Sequence, residues 1–404
     1  MPALDGLKVV DFTRHMAGPY ATLVLSDHGA DVVKVESLPR GDSSRYSGRD
    51  FAGDNSALFL LWNRGKRSLA LDMRTPEGLQ VARDLIRDAD VVVENYRPGV
   101  ADKIGIGYAE MSKLNPRLIY CSVSAFGPTG PLASAPGTDP VVQAMSGIMS
   151  VTGAEGSAGA LIGVPVADFT GAMIAVQGIL LAVVARERTG RGQHVETPML
   201  FGMLSMLSTR LGSFWTRGTD PVPHGTRHAV HVPYQVFATS DGNVMAGAWG
   251  GDSWPKFCRA VGRPELEHDP RFVAGPERAA NREALIALLE PLFTQRTTAE
   301  WKRRFDEQGA LFAPMLKISE ILSHPQVQEA GLVQSLPAPG GDDFPQLAPP
   351  ISLSETPGGI DRPPPALGEH TREVLAGAGY DDERIAALLD AGVVGAPDAV
   401  PGAH

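Results

Sequence analysis

A chain of 404 residues with 43% hydrophobic and 20% charged side chains has material for two domains, or for one large domain and a satellite. Its formal net charge of −10 speaks against a nucleic-acid surface, which needs clustered Lys and Arg, while leaving room for a local basic pocket. Cys121 and Cys258 are the only cysteines and form no CxxC pair, so neither a disulfide framework nor a thiolate metal site is expected, and a reducing cytoplasm suits the composition.

In chain order, residues 7–12 read as a strand and residues 14–18 as a loop. Asp5, Lys8, Asp11 and Arg14 leave no apolar signal-peptide core there. Pro19 fits a first helical turn, and the helix should end near His28, before Gly29. Residues 31–36 form the next strand, which makes a βαβ unit with parallel strands. Thr75-Pro76 should open a helix to about Asp88, with strands at 91–94 and 118–123. This alternation predicts an α/β fold with a large Rossmann-like parallel sheet over residues 1–220. Ligands of such sheets sit beyond the carboxyl ends of the strands, here the loops at 13–18, 37–45, 95–105 and 124–138. Gly105-Ile106-Gly107 lacks the third glycine of a dinucleotide fingerprint and reads as a turn.

Val164-Pro165-Val166-Ala167-Asp168-Phe169-Thr170-Gly171 precedes a run to Ala185 without a charge, and Asp168 is the only charged residue between Glu155 and Arg186. Asp168 reads as the N-cap of a buried core helix, held ionised by the helix dipole. A carboxylate so placed could serve as a covalent nucleophile, although most such residues are plain caps. The run is just long enough to span a membrane, but its Gly, Ala and Gln content and the lack of a second such run favour a core helix.

Around residue 220 the texture changes. Strands near 232–239 and 243–248, joined at Ser240-Asp241-Gly242, and helices near 253–261, 281–290 and 298–308 predict a smaller α+β domain over 225–325. Residues 336–365 hold nine of the 33 prolines and read as an extended connector. Residues 330–404 should return to complete the large domain, with helices near 369–377 and 381–391 and a mobile tail from Gly395. His224, His228 and His231 are the one histidine cluster. No acid or cysteine completes a ligand set, so no metal is expected. A serine hydrolase is disfavoured, because Gly-x-Ser-x-Gly is absent.

Several motifs point one way when taken in order. They are residues 4–13 (LDGLKVVDFT), Ala17-Gly18-Pro19, residues 29–36 (GADVVKVE), residues 63–68 (NRGKRS), residues 94–99 (ENYRPG), residues 189–193 (TGRGQ) and residues 367–371 (LGEHT). Together they resemble the class III coenzyme A transferases, a group that includes formyl-CoA transferase and relatives of 2-methylacyl-CoA racemase. The pattern is nearest to dicarboxylate CoA-transferases, and the likeness runs almost end to end. It implies an interlocked-ring homodimer, an acyl-CoA and a free carboxylic acid as substrates, and no prosthetic group. It places the catalytic nucleophile at Asp168 and a neighbouring acid at Asp139. It places CoA contacts at His15, Met16, Ala17, Leu71, Met73, Asn95, Tyr96, Arg97, Lys103 and Ile104, with Arg97 and Lys103 as phosphate partners and Met73 and Ile104 as adenine-pocket walls.

Two rivals remain at this point, a racemase on the same scaffold and a non-catalytic CoA-binding protein. Family racemases carry Gly-His-Asp where this chain has Gly137-Thr138-Asp139, and threonine is no base at neutral pH. The stretch from Gly225 to Phe237 resembles transferases that use succinate or glutarate. Arg227, His228 and His231 are then expected to hold the acceptor's second carboxylate, which arginine can grip with two parallel bonds. A long Gly-rich insertion like that of formyl-CoA transferase is missing, which disfavours oxalate and formate.

Overall fold

The structure, a computed structural model, describes residues 1–53 and 55–397. Within them the chain forms two compact units. One comprises residues 1–148, 162–218 and 326–397, and the other residues 149–161 and 219–325. Assigning residues 149–161 to the second unit corrects the sequence reading, which left them in the large domain.

The first unit is built on a seven-stranded sheet ordered Val394–Gly395, Arg67–Leu71, Asp31–Ser37, Lys8–Asp11, Val91–Glu94, Ile119–Ser124 and His194–Pro198. Every pairing is parallel except that of Val394–Gly395. The central strands are Val-rich and buried on both faces, as a sheet covered by helices requires. Two strands escaped the sequence reading. Arg67–Leu71 opens on arginine and serine and has only Leu69-Ala70-Leu71 as its apolar part, and His194–Pro198 is mostly polar, so neither stood out as a strand. The expected mobile tail is also corrected. Val394 pairs with Leu71 and Gly395 with Ala70, closing an edge that would otherwise expose unpaired backbone. Residues 398–404 lie outside the described residues.

The apolar run forms one long helix, Val166–Thr189, ended by Gly190 at φ 70°. Ala167, Gly171, Ala172, Ala175, Val176, Ile179 and Ala182 recur every three or four residues and form its buried face. These small side chains bring the helix close to strands Ile119–Ser124 and His194–Pro198. At Gly171 an added Cβ would lie 2.7 Å from Met199 Cγ, so only glycine lets helix Met199–Met206 approach there. The buried core helix expected from the sequence is buried on one face only. Met173, Leu180, Leu181 and Val184 are exposed, Leu181 by 70%, and the neighbouring helices expose Phe201, Leu204, Phe214 and Trp215. By length and composition this helix could cross a membrane, but one of its faces is committed to the sheet.

The Pro-rich segment is not wholly a connector. Val333–Pro337 and Asp343–Leu347 pair antiparallel, and Ala338 and Phe344 pack with Phe59 and Leu60. Buried Gln346 donates to Leu60 O at 3.0 Å and accepts from Arg64 at 3.1 Å.

In the second unit, strands Tyr234–Ala238, Asn243–Gly247 and Leu311–Pro314 form an antiparallel sheet. Phe237, Trp254, Phe257, Phe293, Trp301 and Phe305 fill the core between this sheet and its helices. Leu311–Pro314 was not foreseen, because it is short and half-exposed.

Candidate active site

At the carboxyl ends of the parallel strands the first unit holds a cavity of about 440 Å³. Residues 15–17, 95–98, 123–127 and 133–140 wall it, together with Asp168 and Met199. Three of the four loops singled out from the sequence therefore converge. The fourth, 37–45, acts from behind.

That fourth loop braces the first. Asp42 pairs with buried Lys34 at 2.9 Å and accepts from His15 N at 3.1 Å. Lys34 also donates to Thr13 O at 2.9 Å. Asp11 accepts from Thr13 N, Thr22 Oγ1 and Lys66 Nζ at 2.8, 2.6 and 3.1 Å. These ions are almost wholly buried, so each needs its partner. Burial, with Lys34 adding repulsion, lowers the Lys66 ammonium to about 8 against the attraction of Asp11. The braced loop holds His15 at φ 64°, the only left-handed non-glycine residue among the described residues. His15 is presented to the cavity, with Nε2 at 3.0 Å from Ser43 Oγ.

Two carboxyls face the cavity, and their situations differ. The long helix has Pro165 as its N-cap, so Asp168 lies in its first turn and is not the cap predicted from the sequence. The capping oxygen belongs to Asp139. Its Oδ1 accepts from Ala167 N at 2.7 Å and, more weakly, from Asp168 N at 3.4 Å. Its Oδ2 accepts from Gln143 Nε2 at 2.7 Å. Both Asp139 oxygens are thus engaged. The Asp168 carboxyl has no hydrogen-bond or ion-pair partner among the described residues. Burial, reinforced by the charge of Asp139, pushes it up to about 7. Burial and a like charge thus oppose the helix dipole expected to hold this carboxylate ionised.

The other expected residues divide. His15, Met16, Ala17, Asn95, Tyr96 and Arg97 line the cavity with Asp139 and Asp168. Asn95 holds Arg14, accepting from its N at 2.9 Å and donating to its O at 2.8 Å. Arg97 is exposed and makes no ion pair among the described residues. Leu71 is wholly buried in its strand, and its side chain packs in the core. Met73 and Ile104 pack against that same core, and Lys103 is exposed. None of these four lines the cavity that contains Asp168.

In the second unit, Arg227 Nη1 lies 3.0 Å from Glu155 and 3.1 Å from Glu283. The cation expected to await a substrate carboxylate already has two. His228 stacks on Tyr234 with centroids 5.5 Å apart and on His231 at 4.6 Å, and His231 lies 5.4 Å from Trp249. Among the described residues no three His, Cys, Asp or Glu side chains are placed to hold a metal ion.

Sequence reading missed Gln143, although Asp139 and Gln143 stand i, i+4 in a helix opened by Pro140, a spacing that permits their bond. It also missed Glu94 as an ionisable group. Burial pushes Glu94 up to about 7, and its Oε2 accepts from Tyr96 N at 2.7 Å. Glu94 borders a second cavity of about 250 Å³ that shares Tyr96, Arg97 and Pro98 with the first.

Known proteins share this architecture over its whole length. A human succinyl-CoA:glutarate CoA-transferase is 34% identical over 392 residues, 97% of this chain and 90% of that protein. An acetyl-CoA:oxalate CoA-transferase of Acetobacter aceti is 39% identical over 323 residues, 80% of this chain and 83% of that protein. A crystal structure of a CAIB/BAIF family protein from Brucella suis superposes with a TM-score of 0.84 at 36% identity, covering 93% of this chain and 99% of that one. The sequence profile of CoA-transferase family III matches residues 4–371, and this chain belongs to that family, as an enzyme of its class.

Proposed function

We propose that this enzyme moves CoA from an acyl-CoA thioester to a free carboxylic acid, with Asp168 as the covalent carrier. One observation carries the reading. Of the two carboxyls in the cavity, Asp139 is spent on N–H donors, whereas Asp168 is unpartnered and desolvated.

The ionised Asp168 oxygen attacks the thioester carbonyl carbon. The C–S bond breaks, and CoA leaves as the thiolate with the electron pair. The thiolate then attacks Cγ of Asp168 in the mixed anhydride, and the donor acid departs as its carboxylate. An acceptor carboxylate runs the same steps in reverse and restores Asp168. One negative charge passes round the cycle, no net proton moves, and every intermediate keeps an activated acyl group. Each acylation removes the charge of Asp168, which relieves both its burial and its repulsion from Asp139. Val123, Ala125, Phe126, Ala133, Ala135 and Met199 give the cavity small or apolar walls, which limit hydrolysis of the intermediates.

The acyl-CoA is a substrate, and the reaction calls for no prosthetic group. Relatives named for succinyl-CoA, glutarate and oxalate support a dicarboxylate acceptor with a succinyl-CoA-type donor. With Arg227 already paired, Arg97 is the cation at the cavity, and His15 a hydrogen-bonding side chain beside it, for a phosphate or a second carboxylate. With threonine at 138, the His-Asp pair of the family racemases is absent, which supports transfer over racemisation. The exposed apolar face of the long helix supports a homodimer, interlocked as the family resemblance implies, over a lipid contact. Two buried free thiols suit a reducing cytoplasm.

The test is mass spectrometry of the enzyme after incubation with succinyl-CoA and no acceptor. CoA mass is expected on the peptide containing Asp168, and Asp168→Ala should abolish exchange while remaining folded. Wild-type turnover by that variant would sink the mechanism.

A further inference from the structure

Gln143 is wholly buried, and both its amide nitrogen and its amide oxygen are hydrogen-bonded. Its Nε2 donates to Asp139 Oδ2 at 2.7 Å and, weakly, to Val164 O at 3.4 Å. Its Oε1 accepts from Ile162 N at 3.0 Å. One side chain therefore fastens the segment that enters the long helix and the carboxylate that caps it. Without Gln143, Asp139 Oδ2 would have no donor among these contacts, and its carboxylate could rotate away from Ala167 N. Helix Asp139–Ser146 carries no other charge, so the electrostatic setting of Asp168 depends on where this one carboxylate lies.

We propose that Gln143 is a positioning residue of the transfer reaction: by holding Asp139 against the start of the long helix, it sets the charge that faces Asp168. The inference rests on the covalent-carrier reading for its kinetic consequence, but not for its geometry. The mechanistic gain lies in the difference between two states. With Asp139 fixed, the free Asp168 carboxylate is opposed by a like charge, and the acylated Asp168 is not. A mobile Asp139 would relax toward solvent in the free enzyme and lose that difference.

Other ionisable groups near Asp168 are His15, Tyr96 and Arg97 on the cavity wall. Of the elements packed on the long helix, Ala17–Asp27 adds Tyr20 and Asp27, His194–Pro198 adds His194 and Glu196, and Ile119–Ser124 adds Tyr120 and Cys121. Met199–Met206 adds none. None of these side chains hydrogen-bonds Gln143, so substituting Gln143 should reach Asp168 through Asp139 or through the 162–164 segment that Gln143 also holds, and Gln143→Glu tells the two apart.

The experiment compares full-length Gln143→Leu, Gln143→Glu and Asp139→Asn with wild type. Gln143→Glu keeps an acceptor for Ile162 N but puts a carboxylate against Asp139 Oδ2. It thus separates holding the segment from holding Asp139. Two readouts are taken. One is steady-state CoA transfer from succinyl-CoA against pH. The other is the Asp168 titration, followed without catalysis as the pH-dependent stability difference between each variant and the same variant carrying Asp168→Asn. Both Gln143 variants are expected to lose about ten-fold or more in kcat, with KM for acyl-CoA within about two-fold, as sub-ångström misplacement of a reacting group does. Both should also move the Asp168 midpoint, and Asp139→Asn should move it to lower pH. If Gln143→Glu keeps the wild-type kcat and midpoint, the inference is overturned. Should Gln143→Leu fail to fold, the near-isosteric Gln143→Glu and Asp139→Asn carry the test alone. If wild type forms no adduct at Asp168 while the midpoints still move, the carrier reading fails and the placement of Asp139 by Gln143 stands.

Discussion

Replacing Asp168 with asparagine should stabilise this protein, and increasingly so as pH rises. The native carboxyl is lifted from 3.8 to about 7, first by burial and then by Asp139. Folding therefore favours its protonated form. The native state enjoys that preference fully below the unfolded value and loses it as pH climbs through the folded value. At full ionisation the shift corresponds to about 4 kcal/mol of native-state cost, at roughly 1.4 kcal/mol per unit. About 2–3 kcal/mol of this should accrue between pH 5 and pH 8.5, because the unfolded carboxyl is already ionised at the lower pH. An asparagine there would keep the shape of the side chain without the charge. Urea denaturation of wild type and Asp168→Asn across that range reads the difference directly. The variant should gain on wild type throughout, with most of the gain accumulated by about pH 7.5. A stability gap that stays flat across the range would refute the assignment of a strained carboxyl at 168. The measurement involves no substrate, so it tests the geometry independently of the mechanism.

Lys66→Met should destabilise the protein by about 3–5 kcal/mol, since it leaves Asp11 buried without its ammonium; chemical denaturation near neutral pH checks this. Arg227→Ala should leave the preference for dicarboxylic over monocarboxylic acceptors of equal length unchanged, because its guanidinium already serves Glu155 and Glu283; competition assays with paired acids decide this. A 2-methylacyl-CoA in heavy water should show no α-deuteration at a rate comparable to CoA transfer, and fast exchange would restore the racemase reading. Gly171→Val should reduce transfer strongly by driving Met199 out of the cavity wall, read as lost kcat in a protein that still folds.

Much of the architecture was legible because it is written in local pattern. Val-rich strands buried on both faces alternate with helices that carry their own punctuation. Thr75 caps its helix through Gly78 N, Pro76 follows it, and Gly190 ends the long helix. What escaped had a weaker pattern: Arg67–Leu71 has an apolar part of only three residues, His194–Pro198 is mostly polar, and prolines disguised the 333–347 hairpin. The cavity was legible as a place, since parallel sheets bind ligands beyond their carboxyl ends.

By itself the sequence determined the parallel α/β class, the long helix and Asp168 as the lone charge before it. Spacing over a few residues decides those features. Only the tertiary structure decided the state of that charge. Asp139 lies 29 residues upstream, yet it caps the helix and raises Asp168, and burial does more still. Arg227 read as a free cation because Glu155 and Glu283 stand 72 and 56 residues away along the chain. That the Leu71 side chain packs in the core is likewise set by its strand and not by its neighbours in sequence. The energy of an ionisable group is set by what surrounds it in space, and no periodicity in the chain encodes those neighbours.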